Sequence, residues 1–245
     1  MQENTQFANP TEEEQFRQFQ KQNRIKAVKG SISKMELDYL STLTDKTELK
    51  EICKTANSIE LGAIIVFPTF VEACVSYLGK DPKTSLIAAI SYPHGEEVTP
   101  VKALAVKRAV KNGVDEVEVC APTAFIKAGN FTYLKREVKK LKKASGARAL
   151  RIVLDSALLT EKEIIKASQV IVDAGANCLR LSNADGETVN KVKTAIKGRG
   201  LIKADGVTSE EGVENFCAMG ADYVGCRRAC ELATYMLKKA TEDHI

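Results

Sequence analysis

Asn112-Gly113-Val114-Asp115-Glu116-Val117-Glu118-Val119 is the stretch that decides the fold. A helical run ends at Asn112-Gly113, and a run of valines interrupted by three carboxylates follows at once. Glycine suits the position after a helix because the chain there often turns through a left-handed conformation. Side chains alternate along a strand, so Glu116 and Glu118 share one face while Val117 and Val119 share the other.

The same joint recurs on either side of this segment. Leu61-Gly62-Ala63 leads into Ile64-Ile65-Val66-Phe67, and Ser145-Gly146-Ala147 into Leu150-Arg151-Ile152-Val153-Leu154. Ala174-Gly175-Ala176-Asn177 leads into Cys178-Leu179-Arg180-Leu181, and Met219-Gly220-Ala221-Asp222 into Tyr223-Val224-Gly225. Helix starts are marked by Thr99-Pro100 as a cap followed by proline, and by capping boxes at Thr160-x-x-Glu163 and Thr208-x-x-Glu211. The pattern predicts strands over 35–40, 63–67, 85–91, 116–121, 149–155, 177–182, 200–204 and 222–226. Eight strands alternating with helices predict an α/β fold, a closed (β/α)8 TIM barrel. A doubly wound open sheet is the competing architecture, but no GxGxxG loop supports it.

Residues 1–30 are rich in Gln, Asn and Glu. Pro10 and Thr11-x-x-Glu14 predict a helix start, with Phe16, Phe19 and Gln20 on one face and no regular structure up to about residue 9. The expected organisation is a short N-terminal helical extension, 1–30, packed on the outside of a barrel domain, 31–245.

The 36 Lys/Arg are spread among 32 Asp/Glu for a net charge of +4, which leaves no nucleic-acid footprint. The 7 cysteines are odd in number and form no CxxC pair, a pattern of buried thiols in a reducing compartment. Cys226 and Cys230 lack nearby histidines and suit core packing better than zinc. No apolar run is long enough to span a bilayer and no signal peptide is visible, so a cytoplasmic protein with no membrane partner is expected.

In such barrels, reactive groups sit at the C-terminal ends of the strands and face inward. The alternation points inward Asp38 on strand 1, Glu116 and Glu118 on strand 4, Arg151 and Asp155 on strand 5, Arg180 and Ser182 on strand 6, and Lys203 and Asp205 on strand 7. Buried charges need partners, and both signs converge here on one cavity, as in an active-site network, live or relict. The plainer reading is a set of strand-end charges with ordinary partners.

At these positions the chain resembles the deoxyribose-phosphate aldolase family. Val114-Asp115-Glu116-Val117-Glu118-Val119 is similar to the family's strand 4 motif, and Ser91-Tyr92-Pro93-His94-Gly95 to its Phe-Pro-His-Gly loop. Leu201-Ile202-Lys203-Ala204-Asp205-Gly206-Val207 is similar to its Lys-x-x-Gly-Gly segment, shortened by one, and Ala174-Gly175-Ala176-Asn177 leads into the strand that normally bears the Schiff-base lysine. The resemblance runs from about Lys34 to Leu237. It implies metal-free cleavage of 2-deoxyribose 5-phosphate to glyceraldehyde 3-phosphate and acetaldehyde, with no cofactor. A strand 6 lysine would attack the carbonyl, and a strand 7 lysine would lower its pKa by repulsion.

The departures from the family pattern are chemical. The strand 6 lysine position holds Arg180, and a guanidinium stays protonated. The strand 4 aspartate position holds Glu118, and the strand 5 lysine position Arg151; the strand 7 lysine remains as Lys203 and the strand 1 aspartate as Asp38. At the family's phosphate site the glycine pair reads Asp205-Gly206, and the serines after strand 8 read Arg227-Arg228. Those arginines could hold a phosphate or pair with Asp205 and fill the site, and pairing is favoured.

Three functions remain open: a degenerate aldolase retained for binding or scaffolding, an active aldolase whose nucleophile is Lys203 with its pKa lowered by Arg180, and a sugar-phosphate binder or other lyase using the same pocket. The basic run Lys135, Arg136, Lys139, Lys140, Lys142 and Lys143 reads most simply as a solvated helix face. By analogy with filament-binding aldolases it would offer a surface to an acidic protein partner such as actin. A monomer or homodimer is expected.

Overall fold

The computed structural model describes residues 12–41 and 45–242. Eight parallel strands close in sequence order, with the first paired to the last. They are β1 (Met35–Tyr39), β2 (Ala63–Val66), β3 (Ser85–Ile90), β4 (Glu116–Cys120), β5 (Ala149–Asp155), β6 (Cys178–Ser182), β7 (Leu201–Asp205) and β8 (Tyr223–Cys226). The fold is a (β/α)8 barrel, and each strand ends within one residue of its expected bounds.

Ten α-helices surround the strands among the described residues: α1 (Glu12–Ile32), α2 (Lys46–Ser58), α3 (Val71–Leu78), α4 (Thr99–Lys111), α5 (Thr123–Lys127), α6 (Phe131–Ser145), α7 (Glu161–Asp173), α8 (Gly186–Ile196), α9 (Glu210–Ala218) and α10 (Ala229–Thr241).

The recurring helix-to-strand joint has a definite structure. Gly113, Gly175 and Gly220 turn with φ of 102°, 101° and 105°, a region that favours glycine. Two residues later, Asp115, Asn177 and Asp222 each reach back to the start of the preceding strand. Their side-chain oxygens accept from Leu86 N (2.9 Å), Leu150 N (3.0 Å) and Ile202 N (2.8 Å). The same three residues donate their own N–H to the carbonyls of Leu86, Leu150 and Ile202. The joint therefore sets strand register as well as helix termination.

Helix starts follow the sequence in one case and shift in two. Thr160 and Glu163 form the expected capping box. At α4 the cap is Val98 rather than Thr99, whose hydroxyl is buried and donates to Glu137 Oε2 (2.8 Å). At α9 the cap is Ser209 rather than Thr208, because Ser209 Oγ is the oxygen that reaches Gly212 N (3.1 Å).

Helix α1 runs without a break across residues 30 and 31 and packs against α10. Contact comes from its C-terminal part, where Ile32 is buried and Val28 touches the core. Phe16 and Phe19, expected on a packed face, are instead 59% and 61% exposed. Thr11 and the segment up to residue 9 lie outside the described residues.

The main core lies between the outer faces of the strands and the helices, with Val117, Val119, Ile152, Leu154, Leu179 and Leu181 among its members. The barrel interior is divided. On β2 and β3 it is apolar, with Ala63, Ile65, Ile87 and Ala89 packed together. On β1 and β4 to β7 it is charged.

Candidate active site

The charged part of the interior is built in two tiers. In the lower tier, nearer the strand starts, Arg151 Nε and Nη2 grip Glu116 at 2.7 and 3.1 Å. Its Nη1 donates to both oxygens of Glu36 at 2.7 and 2.9 Å. The guanidinium carbon lies 4.9 Å from the Tyr223 ring centroid. Two-pronged pairing of a planar cation satisfies most of its donors, which is what a buried charge requires. Arg151 was expected at the mouth. It points inward but closes this lower tier and does not line the cavity above.

Glu36 was not foreseen. Its signal was present, because Glu36 and Asp38 alternate with Met35 and Leu37 as Glu116 and Glu118 alternate with the valines. It lies at the start of its strand, away from the catalytic end, so a search for chemistry passed over it.

In the upper tier, Arg180 takes the place the resemblance assigns to the Schiff-base lysine. Its Nη1 lies 2.5 Å from Glu118 Oε1 and 3.1 Å from Asp38 Oδ1, and its Nε donates to Asp205 Oδ2 at 2.6 Å. Ser182 Oγ donates to the same Asp205 oxygen at 2.9 Å. Burial opposes the charge on Arg180, but Glu118, Asp38 and Asp205 outweigh it and hold the pKa well above the ordinary value. The alternation that selected Asp38, Glu118, Arg180 and Lys203 therefore brings them together around one point.

Lys203 links the tiers. Its Nζ donates to Asp38 Oδ1 at 2.7 Å and lies 3.2 Å from Glu36 Oε2, with the side chain fully buried. Burial and the Arg180 charge both pull its pKa down, yet Asp38, Glu118 and Glu36 together raise it above the ordinary value. The repulsion from Arg180 is real but does not prevail, and Lys203 is an ammonium ion rather than a poised amine.

Three interior cations, Arg151, Arg180 and Lys203, face five carboxylates, Glu36, Asp38, Glu116, Glu118 and Asp205. The excess negative charge divides the carboxylates. Burial would raise Glu118, but Arg180, Lys203 and Arg151 lower it to about 2. Asp205 moves the other way, because its burial outweighs Lys203 and Arg180. Glu118 Oε2 and Asp205 Oδ1 are buried without hydrogen-bond partners among the described residues, each 3.9 Å from Lys203 Nζ.

Gly225 is required by this crowding. A Cβ there would lie 2.4 Å from Asp205 Oδ1, 2.5 Å from Asp38 Oδ2 and 2.9 Å from Lys203 Cε.

Above the upper tier opens a cavity of about 1040 Å³. Asp38, Arg180, Asp205 and Ser182 form its floor, Tyr92, Asn183 and Tyr235 lie at its sides, and Gly206, Arg227 and Arg228 border it. Glu118 and Lys203 lie beneath the floor. Tyr92 and Asn183 were not singled out from the sequence, although each directly follows or lies within a strand-end segment that was. Asn183 has φ of 56° and donates to Asp155 Oδ1 at 2.9 Å.

The expected pairing of Arg227 and Arg228 with Asp205 does not occur. Asp205 is held by Arg180 and Ser182 within the barrel, and Arg228 turns outward to Glu231. Arg227 is exposed and has no ion pair among the described residues. The cavity thus has a carboxylate-rich floor and a border made of Arg227 beside the Arg228–Glu231 pair, an arrangement able to bind a hydroxylated molecule whose anionic group meets Arg227. No neutral amine faces it among the described residues.

The sequence matches the model of the DeoC/LacD family of aldolases over residues 28–213. It is 28% identical over 187 residues to deoxyribose-phosphate aldolase 1 of Mesoplasma florum, covering 74% of this chain and 84% of that one. It is 29% identical over 189 residues to the deoxyribose-phosphate aldolase of Streptococcus suis, covering 74% and 86%. Among solved structures, an aldolase designated QR15 superposes with a TM-score of 0.81 at 22% identity, over 85% of this chain and 96% of that one. The deoxyribose phosphate aldolase of Aeropyrum pernix does so with a TM-score of 0.72 at 18% identity, over 92% and 97%. These last two likenesses bear on the fold, and the family match bears on descent. The chain belongs to the DeoC/LacD family of aldolases.

Proposed function

We propose that this protein has lost cleavage of 2-deoxyribose 5-phosphate and retains its cavity for binding a sugar phosphate or a similar hydroxylated anion. The observation that carries the reading is Arg180, held by Glu118, Asp38 and Asp205 at the position of the family's Schiff-base lysine. A guanidinium cannot act as the amine that attacks a carbonyl. Lys203 does not replace it, since it is buried below the floor and kept charged. The carboxylates of the floor would accept ligand hydroxyls, and Arg227, which has no ion pair among the described residues, would meet an anionic end. A scaffolding role with an acidic protein such as actin has support only from the basic surface of α6, and ranks second.

The test is retro-aldol turnover of 2-deoxyribose 5-phosphate, run beside borohydride trapping with acetaldehyde and a thermal shift with the same sugar phosphate. The expected result is no turnover and no trapped adduct, with a rise in Tm that inorganic phosphate partly reproduces. Turnover of about 1 per second, ordinary for an enzyme, would overturn the loss of activity. Absence of any shift would overturn the binding role.

A further inference from the structure

Helices α4 and α6 pack side by side on the outside of the barrel, and their outward faces are unlike the rest of the surface. Lys107, Arg108 and Lys111 on α4 are exposed, as are Lys135, Arg136, Lys139, Lys140 and Lys143 on α6. None of these eight has an ion pair among the described residues. Neither helix exposes a carboxylate: α4 contains none, and Glu137 of α6 is buried against Lys102 at 2.9 Å. Elsewhere many surface cations stand opposite carboxylates, as in Lys54–Glu51, Lys83–Glu60, Lys127–Glu163, Lys193–Asp222 and Lys239–Glu210, and those without a partner are not gathered on two adjoining helices that expose no carboxylate.

Apolar groups accompany the charge. Val98, Val101 and Leu104, at the cap and first turns of α4, are 60%, 53% and 69% exposed. The spacing of three residues places them near one another on the outer side of the helix, beside Lys107 and Arg108.

We propose that this two-helix face docks on an anionic lipid bilayer surface. Its shape favours that partner over a peptide. The face is the convex outside of a barrel, and neither the mouth cavity nor the small one formed by Ser91, Tyr92 and His94 to Glu97 is lined by α4 or α6. An acidic peptide is held in a groove or by a cluster of arginines, and this face has no groove and only two arginines, whereas a bilayer surface needs neither. Six of the eight cations are lysines, compact charges suited to diffuse attraction rather than to two-pronged recognition of one group. The exposed valines and leucine provide the shallow apolar insertion that steadies such contacts. Peripheral docking needs no spanning helix, so the lack of one among the described residues does not bear on it. Closure of the barrel puts β8 opposite β4, so the cavity by β7 and β8 stays clear of the docked face.

The test is co-sedimentation of the full chain with phosphatidylcholine vesicles containing phosphatidylserine, against phosphatidylcholine alone, at low and physiological ionic strength. Binding is expected only to the anionic vesicles and should weaken with salt. Each cation near such a surface multiplies partitioning by roughly fivefold. The variant K135Q/R136Q/K139Q/K140Q should therefore lose more than about a hundredfold, and Leu104→Ser a smaller factor at unchanged charge. The control K191Q/K193Q, on α8, should bind as the unaltered chain does, and circular dichroism checks that every variant is folded. Equal binding to neutral vesicles, full binding by the four-site variant, or binding to heparin or RNA with none to anionic vesicles would each overturn the proposal.

Discussion

The two tiers of the barrel interior use the same chemistry in different surroundings. Arg151 and Arg180 are both nearly inaccessible arginines held by carboxylates. Arg151 is closed in, with Glu36 almost fully buried and Tyr223 alongside. Arg180 borders a large cavity through which water reaches Asp38 and Asp205. A buried ion pair contributes little net stability, but breaking one is costly when the remaining charge has no solvent to turn to. The lower tier therefore acts as structure. The upper tier can be altered at less cost, and departures from the family pattern fall in both tiers, Arg151 in the lower and Arg180, Glu118 and Asp205 in the upper.

The largest effect expected from this difference is on stability. Arg151→Met should cost about 3–5 kcal/mol, because Glu36, only 1% exposed, keeps only Lys203 at 3.2 Å and Glu116 loses both prongs of its fork. Arg180→Met should cost less, about 1.5–3 kcal/mol, since cavity water reaches Asp38 and Asp205 and Lys203 lies 3.9 Å from the buried Glu118. Urea denaturation of both variants at neutral pH measures the gap, and equal losses would remove the distinction between the tiers.

Next in size is Gly225→Ala. The added methyl would press on Asp38, Asp205 and Lys203 at once, so a loss of about 1–3 kcal/mol is expected from overpacking. Because the affected groups belong to the upper tier, bound sugar phosphate should no longer raise Tm in this variant.

Acid titration separates the carboxylates within the upper tier. Glu118 has a folded pKa of about 2, lowered from 4.5, so its contribution is present above 4.5 and lost as pH falls toward 2. Asp205 is shifted upward, so its contribution is present below its unfolded value and lost as pH rises through the folded one. Glu118→Gln should flatten the acid limb of the stability curve, while Asp205→Asn should leave stability at neutral pH nearly unchanged. Denaturation midpoints followed from neutral pH down to pH 3 check both, and an unchanged limb in Glu118→Gln would contradict its assignment.

The smallest expected effect is on activity. If cleavage of 2-deoxyribose 5-phosphate is lost as proposed, Arg180→Lys alone should restore little of it, because Glu118 and Arg151 still stand at the positions where the resemblance expects an aspartate and a lysine. Positioned acid–base groups contribute about 10²–10⁴-fold. The combined variant R180K/E118D/R151K should recover more than the single changes predict, provided the lower tier survives loss of the Arg151 fork. Retro-aldol rates across the series decide this, and family-like rates from Arg180→Lys alone would show a site intact but for one residue.

Much of the molecule was legible in the sequence because its signals are local. The glycine joints at Gly113, Gly146, Gly175 and Gly220, the carboxylate–valine alternation and the Thr160 capping box each depend on residues a few positions apart, and the structure has them where they were expected, whereas at the Leu61-Gly62 joint the left-handed turn falls on Glu60. The helix starts at Thr99 and Thr208 were misplaced by one position, since neighbouring residues can serve as cap and only the local turn chooses between them. Glu36 escaped notice because a role at the closed end of a barrel leaves no motif.

What the sequence determined by itself is the barrel, the bounds of its strands to within a residue, and the inward set Asp38, Glu118, Arg151, Arg180, Lys203 and Asp205. Periodicity fixes which face a side chain takes. It does not fix depth or partner. Only the closed barrel decided that Arg151 belongs to the lower tier, that Asp205 turns to Arg180 rather than to Arg227 or Arg228, and that Lys203 is held charged. Those outcomes depend on distances between strands far apart in the chain, such as the 2.7 Å from Lys203 to Asp38 across 165 residues, and on a balance between burial and several charges at once.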